Sequence, residues 1–433
     1  MKNITIYLLL ALACLGLQSC LFQEENYFDD SSANRATADV KRCSELLEAA
    51  PNGWVMEYYV GKDYSLGGIT LLCKFDGQRV TMASQIAGAD ETVSSLYSVK
   101  SEQATMLSFD TYNYLVHYFG QPQGSMADDP NGTLGGDYEF VISDATADRI
   151  ELKGKKYGNR IVMKAFSADQ TWKQYLTRIK KVEDDAFFYE YDLRMDGLYT
   201  GQMLRSNYTF IVTYYDEVGK VYQKTVPFMF TTDGMRFHEP VTIDGQTMQN
   251  FVWKNEEISF VCTDEGATGV KMKGIYIDGY QSYDYYPGTY LMDFYRLNGA
   301  TNQLEVASQE IQLVKNEDGK SYWLKGLEYD ILVTYDKPRG GLSILPQFLK
   351  KVQGGYVYLA MWDLMNDYVL RSSAIGLISY PTTDGIYLVD NGVWMGEISG
   401  FIFGVYDSQD EEASFMGYTD AVAAIRLIKK TIE

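Results

Sequence analysis

Few residue types in this chain are arranged so that they could do chemistry, and the scarcest is histidine, which occurs twice. His117 lies in Tyr114-Leu115-Val116-His117-Tyr118-Phe119, and His238 in Arg236-Phe237-His238-Glu239-Pro240. Neither forms HExxH, and Pro240 would break a helix there. A metal centre built on histidines is therefore excluded. A serine or cysteine nucleophile with a histidine base would need one of these two, and neither stands near a GxSxG elbow. Both histidines read as structural. Cys43, Cys73 and Cys262 can form one disulfide at most, leaving a thiol over. Cys73 sits in Leu71-Leu72-Cys73-Lys74-Phe75 and Cys262 in Phe260-Val261-Cys262, apolar settings that suit small buried thiols. No CxxC occurs, so structural zinc and thioredoxin-like exchange have no support. The glycine pairs Gly67-Gly68, Gly135-Gly136, Gly340-Gly341 and Gly354-Gly355 lack the spacing of a phosphate-cradling loop. The expectation is a chain that is not an enzyme, with no catalytic residue, no metal and no cofactor.

Carboxylates and tyrosines are abundant instead. Asp128-Asp129-Pro130-Asn131-Gly132 and residues 407–412 are oxygen-rich but lack EF-hand spacing, and read as acidic turns. A glycosidase needs two carboxylates across a cleft, a separation that spacing along the chain does not reveal. The densest binding candidate is 276–295, where Tyr276, Tyr280, Tyr283, Tyr285, Tyr286, Tyr290 and Tyr295 interleave with Asp278, Asp284 and Asp293. Sugar rings present C–H faces that stack on aromatics, while carboxylates accept bonds from hydroxyls. Pro287-Gly288 makes a turn there, which would put Tyr283, Tyr285 and Tyr286, with Asp284, on an exposed binding loop. The competing reading has these tyrosines filling a sheet interior. Trp253, Trp362 and Trp394 read as core anchors.

The elements that must position such residues are mainly strands. Tyr138, Phe140 and Ile142 alternate along one run, and Ile150 and Leu152 along the next. A turn at Lys156-Tyr157-Gly158-Asn159 precedes a strand over 161–166, and Tyr208, Phe210, Val212 and Tyr214 share one side of another. Nine prolines against 38 glycines, with 36 tyrosines, suit twisted antiparallel sheets with tight turns. Helices are expected over 39–49, where Val40, Cys43, Leu46 and Leu47 share a face, near 170–181 and near 345–352. The fold class is therefore mostly β, with a few short helices. Two antiparallel sandwich or barrel-like domains are expected, over 37–183 and 184–433, behind a tether over 20–36. A faint echo links Phe75-Asp76-Gly77-Gln78-Arg79 with Thr232-Asp233-Gly234-Met235-Arg236. A second links Arg178-Ile179-Lys180-Lys181-Val182-Glu183 with Arg426-Leu427-Ile428-Lys429-Lys430-Thr431, either as a repeat or by chance.

Composition narrows the partners. The formal net charge is −20, and nucleic acid is a poor partner for such a surface, since affinity there depends on lysines and arginines displacing counterions. After the N-terminus, no second run of eighteen apolar residues exists to cross a membrane.

The N-terminus supplies an address. Lys2 precedes an apolar run over 7–17 that is short for a bilayer span, the pattern of a signal peptide over 1–19. It ends in Leu17-Gln18-Ser19-Cys20, which resembles the lipobox of bacterial lipoproteins. The resemblance implies acylation of Cys20 and a membrane anchor through the N-terminal lipid; two or three chains hold durably where one does not. Leu21 is not the aspartate that retains many lipoproteins in the inner membrane, and Gln23-Glu24-Glu25 is similar to the surface-export signal of Bacteroidota lipoproteins. An outer-membrane location facing the exterior is expected. Residues 21–36 are polar and read as flexible.

Three further runs bear on family. These are Leu107-Ser108-Phe109-Asp110-Thr111-Tyr112-Asn113 with Leu115-Val116-His117-Tyr118-Phe119, then Gly135-Gly136-Asp137-Tyr138-Glu139-Phe140, then Leu152-Lys153-Gly154-Lys155-Lys156. With the lipobox, they resemble the Bacteroidota lipoproteins grouped as a domain of unknown function (family 4302). The resemblance implies a neighbourhood of TonB-dependent receptors and starch-utilisation-type binding lipoproteins, and carries no catalytic or binding residues. The expected role is a non-enzymatic accessory protein capturing glycan or peptide beside an outer-membrane receptor. The alternatives are an adhesion or structural lipoprotein, and a carboxylate-based hydrolase.

Overall fold

The computed structural model describes residues 31–122, 133–215, 218–410 and 412–430. Cys20, the acidic Gln23-Glu24-Glu25 and the turn at Asp128-Asp129-Pro130-Asn131-Gly132 lie outside the described residues. The chain divides into two compact units, one of residues up to Ala186 with Asp192–Lys273, the other of Phe187–Tyr191 with Gly274 onward.

The first unit holds two closed eight-stranded antiparallel barrels. In the first barrel the opening strand Trp54–Val60 pairs on one side with Gly67–Asp76 and on the other with the last strand, Arg160–Ala165. Alternation sends Trp54, Met56 and Tyr58 inward, where they meet Leu71, Cys73, Phe109, Phe140, Ile161 and Met163 in one buried cluster. Helix α1 (Ser32–Ala49) lays Cys43 and Leu47 into that core. Its carbonyl at Leu47 accepts the Trp54 indole N–H at 2.8 Å, and Arg42 donates to the Ala145 carbonyl at 2.9 Å. The helix starts at Ser32, so the last residues of the expected tether are helical: Ser31 caps it by accepting from the Asn34 amide. After a one-turn helix α2 (Tyr114–His117), helix α3 (Trp172–Asp185) opens with a Thr171/Gln174 capping box and packs Leu176 on Leu72 and Ala83.

The second barrel runs from strand Glu190–Met195 to Val270–Ile275 and buries Phe210, Phe228, Phe230, Phe237, Phe251 and Phe260. The two barrels of this unit meet closely at Gly67-Gly68. A Cβ on Gly67 would stand 2.1 Å from the Tyr208 carbonyl oxygen, and one on Gly68 2.9 Å from the Met229 Cβ. This is why the glycine pair that carries no phosphate-loop spacing is needed where it is.

The second unit is a twelve-stranded sheet. Pairing of Gly288–Asn298 with Phe415–Lys429 closes eight of its strands into a ring, and the remainder extend from it. The antiparallel, mostly β class agrees with the expectation. The segment after residue 183, expected as one domain, holds both the second barrel and this sheet, and the compact division falls near Lys273. The helix expected near 345–352 is instead the strand Gln347–Val352, in a hairpin with Gly355–Asp363 turned at Gly354 (φ 86°). Ladder pairing there overrides local helix propensity. The second echo does not carry over to structure: Arg178 to Glu183 lie on α3, and Arg426 to Lys429 on a strand.

Candidate functional site

The outward faces of three neighbouring strands in the first barrel form one wall of a cleft of about 440 Å³. Register aligns Arg149 with Lys164 and Lys164 with Val55, then Glu151 with Val162 and Val162 with Glu57. Because side chains alternate, the strand whose Trp54, Met56 and Tyr58 face the core must present Glu57 and Tyr59 outside. The same rule exposes Arg160, Val162 and Lys164 opposite the buried Ile161 and Met163. The second barrel of the unit supplies the other wall, with Arg236, His238 and Glu239 from strand Gly234–Ile243 and Gln249 and Asn250 from its neighbour. The Asp264 carboxylate accepts from the Asn250 amide at 2.8 Å and from its side-chain nitrogen at 2.7 Å, which orients that residue.

Glu57 is the polar centre of the cleft. It accepts from Lys164 Nζ at 2.7 Å and from Arg236 Nη2, with its side chain only 13% exposed. Burial pushes its pKa up, but Arg236 and Lys164 outweigh burial and hold it below the ordinary carboxylate value. Glu151 accepts from Arg149 at 3.0 Å and from Arg160 at 2.9 Å, and these two guanidiniums lower its pKa.

An aromatic group stands beside the charges. The His238 ring has its centroid 4.2 Å from those of both Tyr59 and Tyr64. Burial depresses the His238 pKa, so its imidazole is neutral at neutral pH. Tyr59 is buried, its pKa raised by that burial, and its hydroxyl has no hydrogen-bond partner of good geometry. Tyr64 and its neighbour Asp63 both have left-handed backbone, φ 59° and 53°, in a single 3-10 turn. That conformation is strained for an aromatic residue, and such strain collects at functional sites. The Arg160 amide reaches the Tyr64 hydroxyl at 3.5 Å. The cleft thus combines charge-assisted donors with ring faces, the equipment for holding a polar ligand.

None of these residues was singled out from the sequence except His238, which was read as structural. The period-2 spacing of Arg160 and Lys164 was a signal, but the strands that face them come from distant segments. The loop expected to bind is differently placed. Tyr286 is fully buried and donates to the Gly340 carbonyl at 2.8 Å. Tyr283 is half-buried, stacked on Tyr322 at 4.7 Å, and donates to the Ser321 carbonyl at 2.8 Å. Of the three tyrosines only Tyr285 is exposed, with Lys429 over its ring, and Asp284 is exposed and pairs with Lys315. The expectation of one exposed loop is corrected for Tyr286 and Tyr283, because a phenol can be buried wherever a backbone carbonyl accepts its hydrogen bond. Trp253 and Trp362 are core residues, whereas Trp394 is half-buried and donates to Asp363 at 3.0 Å. His117 is half-buried against Tyr138 at 4.6 Å. Cys43, Cys73 and Cys262 are buried free thiols. Asp407 accepts from the Ser414 amide at 2.9 Å, as in an ordinary acidic turn. Among the described residues, no group of three His, Cys, Asp or Glu side chains is placed to hold a metal, and no helix is long and apolar enough to cross a membrane.

Residues 24–255 match the family model described as Domain of unknown function (DUF4302), and residues 263–402 match a second domain of unknown function, DUF4987. No curated protein matches the chain. Three solved structures resemble it loosely. One is a protein of unknown function of the DUF3598 family from Nostoc punctiforme, 7% identical over 57% of this chain and 99% of that chain, with a TM-score of 0.15. Intact Ap-TbpB, with its N and C lobes, is 11% identical over 84% of this chain and 67% of that one, with a TM-score of 0.14. A mutant of the vaccine antigen transferrin binding protein B from Haemophilus parasuis is also 11% identical, over 84% and 67%, with a TM-score of 0.12.

Proposed function

The chain belongs to the family described as Domain of unknown function (DUF4302), and we propose that it is a lipoprotein that binds a glycan or peptide without transforming it. In this reading Cys20 carries the lipid and holds the body to the outer membrane, facing the exterior. There it captures nutrient for a TonB-dependent receptor and that receptor's own binding lipoprotein. The observation that carries the binding role is the cleft between the two barrels of the first unit, where Glu57, Arg236, Arg160 and Lys164 adjoin Tyr59, Tyr64 and His238. The Leu17-Gln18-Ser19-Cys20 run carries the anchor. Glu57 is poorly suited to act as a general acid, since that role needs a raised pKa and its two cationic partners lower it.

A thermal-shift screen of the full chain in detergent tests the binding role, using neutral and acidic oligosaccharides and short peptides. A ligand at a hundred times its Kd adds about 2.7 kcal/mol, several degrees for a body of this size. The reading requires a shift with one class that His238→Ala abolishes. A flat screen across all classes would sink it.

A further inference from the structure

We propose that the cleft selects acidic saccharides, sugars whose rings carry a carboxylate or sulfate. This rests on the reading that the cleft is the binding site. In a chain of net charge −20, the lining gathers Arg149, Arg160, Lys164 and Arg236, with Glu57, Glu151 and Glu239 as the neighbouring acids. Two of the acids serve four cations: Glu57 takes Lys164 and Arg236, and Glu151 takes Arg149 and Arg160. Each guanidinium has five donors. Arg149 gives Nε and Nη2 to the same oxygen of Glu151, while Arg160 gives Nη2 to the other and keeps its side chain 66% exposed. An oxyanion entering here meets a surplus of positive charge and two forks already held at fixed positions by Glu151, which is the bidentate geometry that carboxylates and sulfates take.

Two further features point to a sugar ring bearing that anion. Tyr59 brings to the cleft a buried hydroxyl beside Arg236 that makes no hydrogen bond of good geometry, a donor matched to a sugar oxygen. Tyr64 and His238 line the cleft with aromatic rings packed on each other at 4.2 Å, and Tyr64 is held in place by a left-handed backbone that only a constrained turn sustains. A peptide is less suited. A peptide that binds by adding a strand needs a free sheet edge, and both barrels of this unit are closed.

The test is calorimetric titration of the full chain in detergent with a tetragalacturonate, a sulfated galactose disaccharide and a neutral galactotetraose. The expected result is at least tenfold tighter binding of one or both acidic probes than of the neutral one. In the double substitution Arg149→Gln/Arg160→Gln the preference falls to threefold or less, with an unchanged melting temperature as the control for folding. A salt series on the unmodified chain is independent of any variant, and the acidic probe should weaken several-fold between 50 and 500 mM NaCl. Inorganic sulfate alone should bind at least tenfold more weakly than the sulfated sugar. Equal affinity for sulfate alone would overturn the saccharide part. If neutral and acidic probes bind equally and His238→Ala removes both, the anion selection is wrong and the binding cleft stands. If no saccharide binds, or His238→Ala changes nothing, the cleft reading and the selection fall together.

Discussion

Replacing Glu57 by glutamine keeps the shape of the side chain and removes the one charge that Lys164 and Arg236 share. Lys164 is 42% exposed and loses little, since water replaces its partner. Arg236 is 22% exposed, and its guanidinium would be left facing a neutral amide between two barrels. Stripping the partner from a fully buried pair costs about 3–5 kcal/mol and from an exposed pair about 0–1, which places this site at about 2–3 kcal/mol. For a unit of this size each kcal/mol moves the midpoint by about 2–4 °C, so Glu57→Gln should lower the transition of the first unit by roughly 4–12 °C. The pH dependence follows from the sign of the shift. The folded pKa of Glu57 lies below its unfolded value, so its contribution is complete above about pH 5 and is lost as pH falls through the folded value. The gap between wild type and Glu57→Gln should therefore close on acidification. Scanning calorimetry of Glu57→Gln, Arg236→Met and the double variant supplies the cycle, with a coupling above about 1 kcal/mol expected. Additivity within about 0.5 kcal/mol, or a gap that does not narrow on acidification, would refute the view of Glu57 as the tie between the barrels.

Gly67→Ala should cost about 2–4 kcal/mol, combining left-handed strain at φ 69° with a Cβ 2.1 Å from the Tyr208 oxygen. Gly77→Ala, also left-handed at φ 59° but with nothing within 4 Å, should cost only about 1–2; equal melting losses would remove the close approach as a cause. Tyr286→Ala should cost the second unit about 3–5 kcal/mol, whereas Tyr285→Ala should stay within about 1; the reverse order by thermal denaturation would contradict the burial of Tyr286. Burial raises the pKa of all three thiols, that of Cys262 to about 11. Cys43, Cys73 and Cys262 should resist iodoacetamide at pH 8 until denaturant is added, and rapid native labelling of any would contradict its burial.

How much was legible can be traced residue by residue. The alternation around Phe140 and Leu152 and the face shared by Cys43 and Leu47 are local periodicities, and each appears in the structure as strand or helix. The stretch at 345–352 was misread because a two-strand ladder decides its conformation, and the ladder partner at Gly355–Asp363 leaves no mark within the segment. Tyr286 was misread for a related reason. A tyrosine looks the same in sequence whether its hydroxyl meets water or, as here, the Gly340 carbonyl 54 residues away.

By itself, the sequence determined the mostly β class, the scarcity of histidine, the acidic character and a run ending at Cys20 that resembles a lipobox. These follow from composition and near-neighbour spacing. The tertiary structure alone decided that Glu57, Arg160 and Lys164 of one barrel stand against Arg236 and His238 of another. Period 2 dictates which side chains leave a barrel wall, but only closure and the close approach at Gly67-Gly68 dictate which outward faces meet. The cleft is a property of that meeting, which brings Arg236 onto Glu57 from 179 residues away.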